Sequence, residues 1–439
     1  MTHIVPTTMP NVIAFIISNS LKKFTRCQIT ITPYNISMRK TFRYQLEPNK
    51  TQAKALKATL RLCCDLYNEA KCLREIVYKT SKKGLSYPEQ AFYFKDEKPY
   101  CDLHSQILTD TLRRLDKSFQ NFFRRIKRGE TPGYPRYKAF DRYNSFTYPQ
   151  PLPRGGFKII GNKVHLGKIG HIKIYLHRPI PKDAKIKTLT IRRQCGKWYA
   201  CFSCEVQPKP LPPNTNEIGI DMGLISFIAT SNGETISNPR HFKKSEKRLK
   251  VIQQSLSRKK RGSKRRYKTK LALRKAHEKV RNQREDFQHK LSRNLINDNG
   301  LIAIEDLNIK QMIEKGATKL SKSIGETAWS SFINKLIYKA EEAGRVVIPV
   351  NPFGTSSTCY QCGAYRKKDL SERIHKCSCG LVMDRDVHAA MNILKRARAE
   401  LLLKLYHTLR RVASLRGVPE KMPCFIGHLS LKVSSNSWK

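Results

Sequence analysis

The stretch Glu217-Ile218-Gly219-Ile220-Asp221-Met222-Gly223 decides how this chain reads. Ile218 and Ile220 alternate with the small Gly219, the pattern of a short buried strand, and the run stops at a carboxylate with a glycine two residues on. Two other segments close in the same way. Leu301-Ile302-Ala303-Ile304-Glu305-Asp306-Leu307 is an apolar run ending in acids, and Asp384-Arg385-Asp386-Val387-His388-Ala389-Ala390 puts acids where a helix through Asn392, Ile393 and Leu394 begins. Carboxylates at strand and helix ends suit a site that holds two divalent cations against a phosphodiester. Magnesium fits such a site, because it prefers hard oxygen ligands and keeps part of its water. Plainer roles stay open for each acid. Asp221 can cap a turn before Gly223, Asp306 stands beside Glu305 as an equal candidate, and Asp384 and Asp386 can both cap the helix.

The whole chain is strongly basic: 439 residues carry 85 Lys and Arg against 34 Asp and Glu, a net charge of +51. Charge of that size repels itself unless a polyanion neutralises it, so nucleic acid is the expected partner. A membrane ranks well below it, since no apolar run approaches the ~18 residues of a spanning helix, and Val12 to Ile17 lacks the basic leader of a secretory signal. Of thirteen cysteines nine are scattered and four are clustered late, which is not a disulfide framework, and a cytoplasmic, nucleoid-associated location is expected.

Residues 1–37 differ in character from the rest of the chain and read as an upstream extension, with Met38 as the natural start. Met38 to Leu46 alternates basic and apolar residues as a strand, Pro48 ends it, and Thr51 begins a helix to about Lys79. A second helix, from about Leu103 to Arg128, has a core face of Leu108, Leu112, Leu115, Phe119, Phe122 and Ile126. Arg113, Arg124 and Arg125 lie off that face and are candidate phosphate contacts. Ser145 to Gln207 reads as several strands of a small barrel, and Pro208 to Pro213 as a linker. Phe242 to Ile296 is basic and mostly helical, broken near Gly262-Ser263. Its densest run contains Arg258, Lys259, Lys260, Arg261, Lys264, Arg265 and Arg266, again expected to meet phosphates. Strands alternating with helices from Glu217 onward give an α/β order, and acids converging on strand ends give a ribonuclease-H-like reading.

Cys359-Tyr360-Gln361-Cys362-Gly363 and Cys377-Ser378-Cys379-Gly380 are two cysteine pairs across a short loop, the signature of a tetrahedral zinc ribbon. The second pair is one residue tighter than usual, and His375 is a substitute ligand should both sulfurs not reach. Four thiolates leave no open position, so this zinc is structural.

Together these segments resemble the TnpB family, transposon-encoded relatives of type V CRISPR effectors. The likeness runs from about Met38 to Arg398 and is carried by ordered motifs. They are Tyr67-Asn68, Leu115-Asp116-Lys117, Asn121-Phe122-Phe123, Gly133-Tyr134-Pro135-Arg136-Tyr137, Gly219 to Gly223, Glu305-Asp306-Leu307, Thr355-Ser356, the four cysteines and Asp384-Arg385-Asp386. The resemblance implies a multidomain α/β and β architecture. A first wedge-barrel strand (38–50) leads into a helical recognition lobe (51–140), and the wedge barrel then completes (141–213). A RuvC-like nuclease domain (214–355 and 384–400) comes next, interrupted by a zinc ribbon that binds target nucleic acid (356–383), with a loose tail (401–439). It implies that Asp221, Glu305 and Asp386 are the catalytic, magnesium-binding triad. It also implies RNA-guided hydrolysis of DNA, with guide RNA from the transposon end and double- and single-stranded DNA as partners; the oligomeric state stays open, a monomer being favoured. Two departures stand out: His388 occupies the place of the family's asparagine, and Cys377 and Cys379 are closely spaced. The competing readings are a transposase that needs no guide RNA and a nuclease-weak, RNA-guided repressor.

Overall fold

The computed structural model describes residues 37–415 apart from 154, 317 and 370. The expectations for an upstream extension and for most of the tail therefore lie outside the described residues. The chain divides into two compact units, Met1–Pro208 and Lys209–Lys439.

In the first unit, β1 (Met38–Glu47) is followed by α1 (Lys50–Ser81), α2 (Tyr87–Phe94) and α3 (Ser105–Lys127). Six strands then complete the unit: β2 (Ser145–Tyr148), β3 (Phe157–Ile160), β4 (Lys163–Leu166), β5 (Gly170–Tyr175), β6 (Lys185–Gln194) and β7 (Lys197–Val206). The seven strands form one curled sheet, a half-barrel in the order β2-β6-β7-β1-β5-β4-β3. β1 lies in its interior, antiparallel to β7 from Met38↔Val206 to Leu46↔Trp198 and to β5 on its other edge. Phe42, Tyr44 and Leu46 point to one face by the two-residue period and are buried with Phe146, Phe157 and Phe202. The cap of α1 is Asn49 rather than Thr51: its side chain accepts from the N–H of Gln52, whose side chain accepts from the N–H of Asn49.

In the second unit, β8 (Glu217–Asp221), β9 (Ser226–Thr230) and β10 (Thr235–Ser237) form an antiparallel meander turning at Gly233 (φ 91°). Two basic helices follow, α4 (His241–Ser257) and α5 (Lys264–Asp298), and then β11 (Leu301–Glu305). Three more helices, α6 (Ile309–Lys315), α7 (Thr318–Thr327) and α8 (Trp329–Ala343), precede β12 (Val346–Val350). The hairpin β13 (Ile374–Lys376) and β14 (Val382–Asp384) runs straight into the long α9 (Arg385–Leu415). The five-stranded sheet has the order β10-β9-β8-β11-β12, with β11 parallel to both β8 and β12. Among the described residues no helix is long and apolar enough to cross a membrane.

Strand parity assigns the two faces of this sheet. Ile218, Ile220, Ile302 and Ile304 share a core with Leu291 and Leu295 of α5 and with Phe332 and Leu336 of α8. The alternate residues Leu301 and Ala303 pack instead against Ile393, Leu394 and Ala397 of α9. By the same parity Gly219, Asp221 and Glu305 belong to the α9 face. Gly219 is the reason the helix can come so close. A β-carbon there would stand 2.1 Å from the Ala390 carbonyl oxygen and 2.9 Å from Leu394 Cβ.

Candidate active site and metal centre

Asp221 ends β8 and Glu305 ends β11, and the parallel register Ile304↔Ile220 sets the two carboxylates side by side. Asp386 lies in the first turn of α9, the helix that Gly219 admits to this face. Burial pushes the Asp221 carboxyl up to about 8, with the charges of Glu305 and Asp386 adding to the shift against the opposing Arg385. Glu305 is raised by burial, eased by its bond from Thr355. Asp386 is raised by burial and by neighbouring Asp384. Three carboxyls that resist ionising together are short of positive charge, and a divalent cation is the usual remedy.

The alternatives left open by the sequence separate here by geometry. Asp306 is exposed, and its N–H bonds to Val350 O at 2.8 Å on the sheet's edge, whereas Glu305 is buried. Asp384 is the helix cap: its Oδ1 accepts from the N–H groups of Asp386 (2.9 Å) and Val387 (3.0 Å). Asp386, not spent on that cap, is the acid of the pair whose charge reaches Asp221.

Sequence reasoning gave no role to the residues that hold Glu305. Thr355, on the loop after β12, donates its hydroxyl to Glu305 Oε1 at 2.6 Å. Asn392 of α9 donates from Nδ2 to Thr355 O (2.8 Å) and Thr358 O (2.7 Å). One helical turn further on, Arg396 Nη1 donates to Asn351 O (2.8 Å) and Phe353 O (2.6 Å). The available signal was a polar Asn392 on an otherwise apolar helix stripe, four residues from His388.

The four cysteines meet. Cys359 Sγ and Cys379 Sγ are 3.7 Å apart, Cys362 Sγ and Cys377 Sγ 3.5 Å, and all four sulfurs fall within 4.8 Å of one another. Tetrahedral zinc with Zn–S near 2.3 Å places its sulfurs about 3.8 Å apart, so the donor set fits that ion and the tight second pair reaches. The backbone N–H of Cys379 and the Cys362 thiol hold the Cys377 thiol down at about 6, while, against the backbone N–H of Leu381, burial and the neighbouring thiols push Cys379 up to about 12, so without a metal the cluster shares its protons unevenly.

Cys359 also lies near two buried histidines, His375 and His388, whose rings stack at 3.7 Å and 12°. This second group does not suit another ion. His388 Nε2 accepts the Tyr360 N–H at 3.0 Å, so the neutral ring carries its proton on Nδ1, and the Lys368 ammonium faces His375 Nδ1. His388 therefore does for the ribbon what a hydrogen-bonding asparagine does, tying it to α9. Burial, then the neighbouring His375 and Lys368, push His388 down to about 4, keeping it neutral.

Against known proteins, residues 201–316 match a family described as "Probable transposase", and residues 329–393 the "Cas12f1-like, TNB domain". A "Putative RNA-guided DNA endonuclease" of Streptomyces pristinaespiralis is 32% identical over 367 residues, covering 81% of this chain and 89% of that protein. The chain belongs to the TnpB family. Within that family, the "Putative RNA-guided DNA endonuclease InsQ" of Escherichia coli K12 is 27% identical, covering 82% of this chain and 92% of the relative. The fold also resembles that in the cryo-EM structure of a Cas12f1–sgRNA–target DNA complex, with a TM-score of 0.56 at 14% identity over 81% of this chain and 98% of the other.

The basic candidates of this TnpB-family chain fall into two groups. Arg113, Arg124, Arg125, Arg258, Lys260, Arg261, Lys264 and Arg265 are all exposed. Lys259 and Arg266 are partly buried and hold the turn between α4 and α5. Arg266 Nη1 donates to Leu256 O (2.6 Å) and Lys259 O (2.9 Å), and Lys259 Nζ donates to Thr269 Oγ1 (2.6 Å).

Proposed function

We propose that this chain is an RNA-guided DNA endonuclease that hydrolyses phosphodiesters with divalent cations held by Asp221, Glu305 and Asp386. The observation that supports this reading is the placement of the three acids at the ends of β8 and β11 and the start of α9, where Asp221, raised to about 8 chiefly by burial, also feels the charges of Glu305 and Asp386. The sheet order, an antiparallel meander continued by two parallel strands, supports a ribonuclease-H-like (RuvC) reading. Among the described residues, the groups whose ligand atoms come within 4.8 Å of one another are those containing Cys359. The three carboxylates do not all fall within that spacing, and the choice of a pair of magnesium ions rests on the chemistry of phosphodiester hydrolysis. Bound there, the cations supply charge to the scissile phosphate and activate the attacking water. Asp221 and Glu305 offer oxygens from rigid strand ends, Asp386 closes the third side from its helix, and the four cysteines hold a structural zinc.

The half-barrel (38–50 and 141–213) and the helical lobe (51–140) act as wedge and recognition lobe, with residues 214–355 and 384–400 as the nuclease and 356–383 as the target-strand module. The surface basic residues track guide RNA and DNA backbones, while base pairing reads sequence. The test is to purify the protein with its RNA, sequence that RNA, and assay magnesium-dependent cleavage of a matching DNA with Asp221→Ala as control. Equal cutting by the variant removes the site assignment. Strand joining without RNA points to a transposase, and guided binding without cutting points to a repressor.

A further inference from the structure

We infer that Thr355, anchored by Asn392, is the positioning residue that aims Glu305 at the cations; this rests on the cation site proposed above. An ionised carboxylate on a short strand end can still rotate about its last bonds, and cation affinity depends on which oxygen is presented. Here the rotation is stopped. The Thr355 hydroxyl takes Oε1 at 2.6 Å, so Oε2 is the oxygen left to a ligand. The hydroxyl has one proton and two neighbours, Glu305 Oε1 and the Pro352 carbonyl at 3.1 Å, and the charged acceptor at the shorter distance takes the proton.

Thr355 is itself fixed. It is 4% exposed, and its carbonyl is gripped by Asn392, which is 5% exposed. Asn392 spends both amide protons on this loop, on Thr355 O and Thr358 O, and Thr358 directly precedes the zinc ligand Cys359. Arg396 repeats the grip one turn along the same helix face. Since α9 also carries Asp386, the second and third acids are both referenced to one rigid helix.

The test uses the free, full-length, zinc-loaded protein and Mn2+ alone, with bound and free Mn2+ separated by electron paramagnetic resonance. Thr355→Val keeps the shape and removes the donor, and it is expected to weaken Mn2+ binding about tenfold, as loss of an outer hydrogen-bond partner does at other metal sites. Thr355→Ser restores the donor and should bind within about threefold of the parent. Glu305→Gln is the control. If Glu305→Gln loses Mn2+ while Thr355→Val binds normally, or if Thr355→Ser is as weak as Thr355→Val, the positioning role is wrong and the cation site stands. If Glu305→Gln itself binds Mn2+ like the parent, the cation site falls and this inference with it. Thermal melts of all variants confirm that the fold is intact.

Discussion

Gly219→Ala is a change of one methyl group on a strand that ends two residues later at Asp221. Its added carbon would stand 2.1 Å from the Ala390 carbonyl oxygen, 2.9 Å from Leu394 Cβ and 3.0 Å from Leu394 N. Two of these atoms are helix backbone, so no rotamer change relieves the clash, and α9 must lift from the sheet by about 1 Å to reach ordinary contact distance. Overpacking of this kind costs about 1–3 kcal/mol. For a unit of this size each kcal/mol lowers Tm by roughly 2–4 °C, so a fall of about 2–12 °C is expected. On the cation site proposed above, the effect on cleavage is larger, because the lifted helix carries Asp386 and, through Asn392 and Thr355, the setting of Glu305. Displacing catalytic groups by about 1 Å costs on the order of 100-fold in rate. The assay pairs differential scanning calorimetry with guided cleavage at saturating magnesium. Parent-like melting together with parent-like cleavage would falsify the argument that glycine is required for helix approach.

The raised Asp221 carboxyl predicts a pH effect in metal-free protein. The folded state holds a proton that the unfolded chain releases near pH 4, so stability declines as pH rises from about 4 toward 8. Asp221→Asn cannot ionise; its Tm should gain on the parent's between about pH 4 and 8, and magnesium should narrow the gap. A constant difference across that range rules out the shifted carboxyl. For the ribbon, Cys362→Ser removes one of four sulfurs that already stand at zinc spacing, and metal analysis should show about one zinc fewer per chain. Unchanged zinc content counts against the site. Among the basic residues, replacing Arg258, Lys260 and Arg261 with Ala should lower the salt dependence of single-stranded RNA binding by ~0.7 per lost phosphate contact. Arg266→Ala should instead loosen the α4–α5 turn, read as faster amide exchange there, because its guanidinium is spent on Leu256 O and Lys259 O.

Much of the nuclease-like half was legible because it rests on local pattern. The alternation in Glu217 to Asp221 and Leu301 to Glu305 is a property of consecutive residues, and it survives intact as β8 and β11. The cysteine pairs were legible for the same reason, since ligand spacing is local. Contacts between distant segments were not. Nothing near Asp384 or Asp386 in sequence says which is the cap; the answer lies in the direction of Asp384 Oδ1 toward the start of α9. Gly219 looked like a small residue in a strand, and only the passing carbonyl of Ala390 explains it. Thr355 and Asn392 lie 37 residues apart and meet only in the folded unit.

The position of β1 bears on how the half-barrel is made. This strand is synthesised before the other six, yet it is hydrogen-bonded on one edge to β7, about 160 residues later, and on the other to β5. At ribosomal speeds of ~5–20 residues per second, β7 emerges after roughly 8–32 s. Until β5 is made the nascent chain carries a strand with two open edges, and the edge meant for β7 stays open throughout the interval, an invitation to pair with a neighbouring chain. Arg39, Lys40 and Arg43 are spaced along that strand, and like charges on facing copies discourage such pairing until the intended partner is translated.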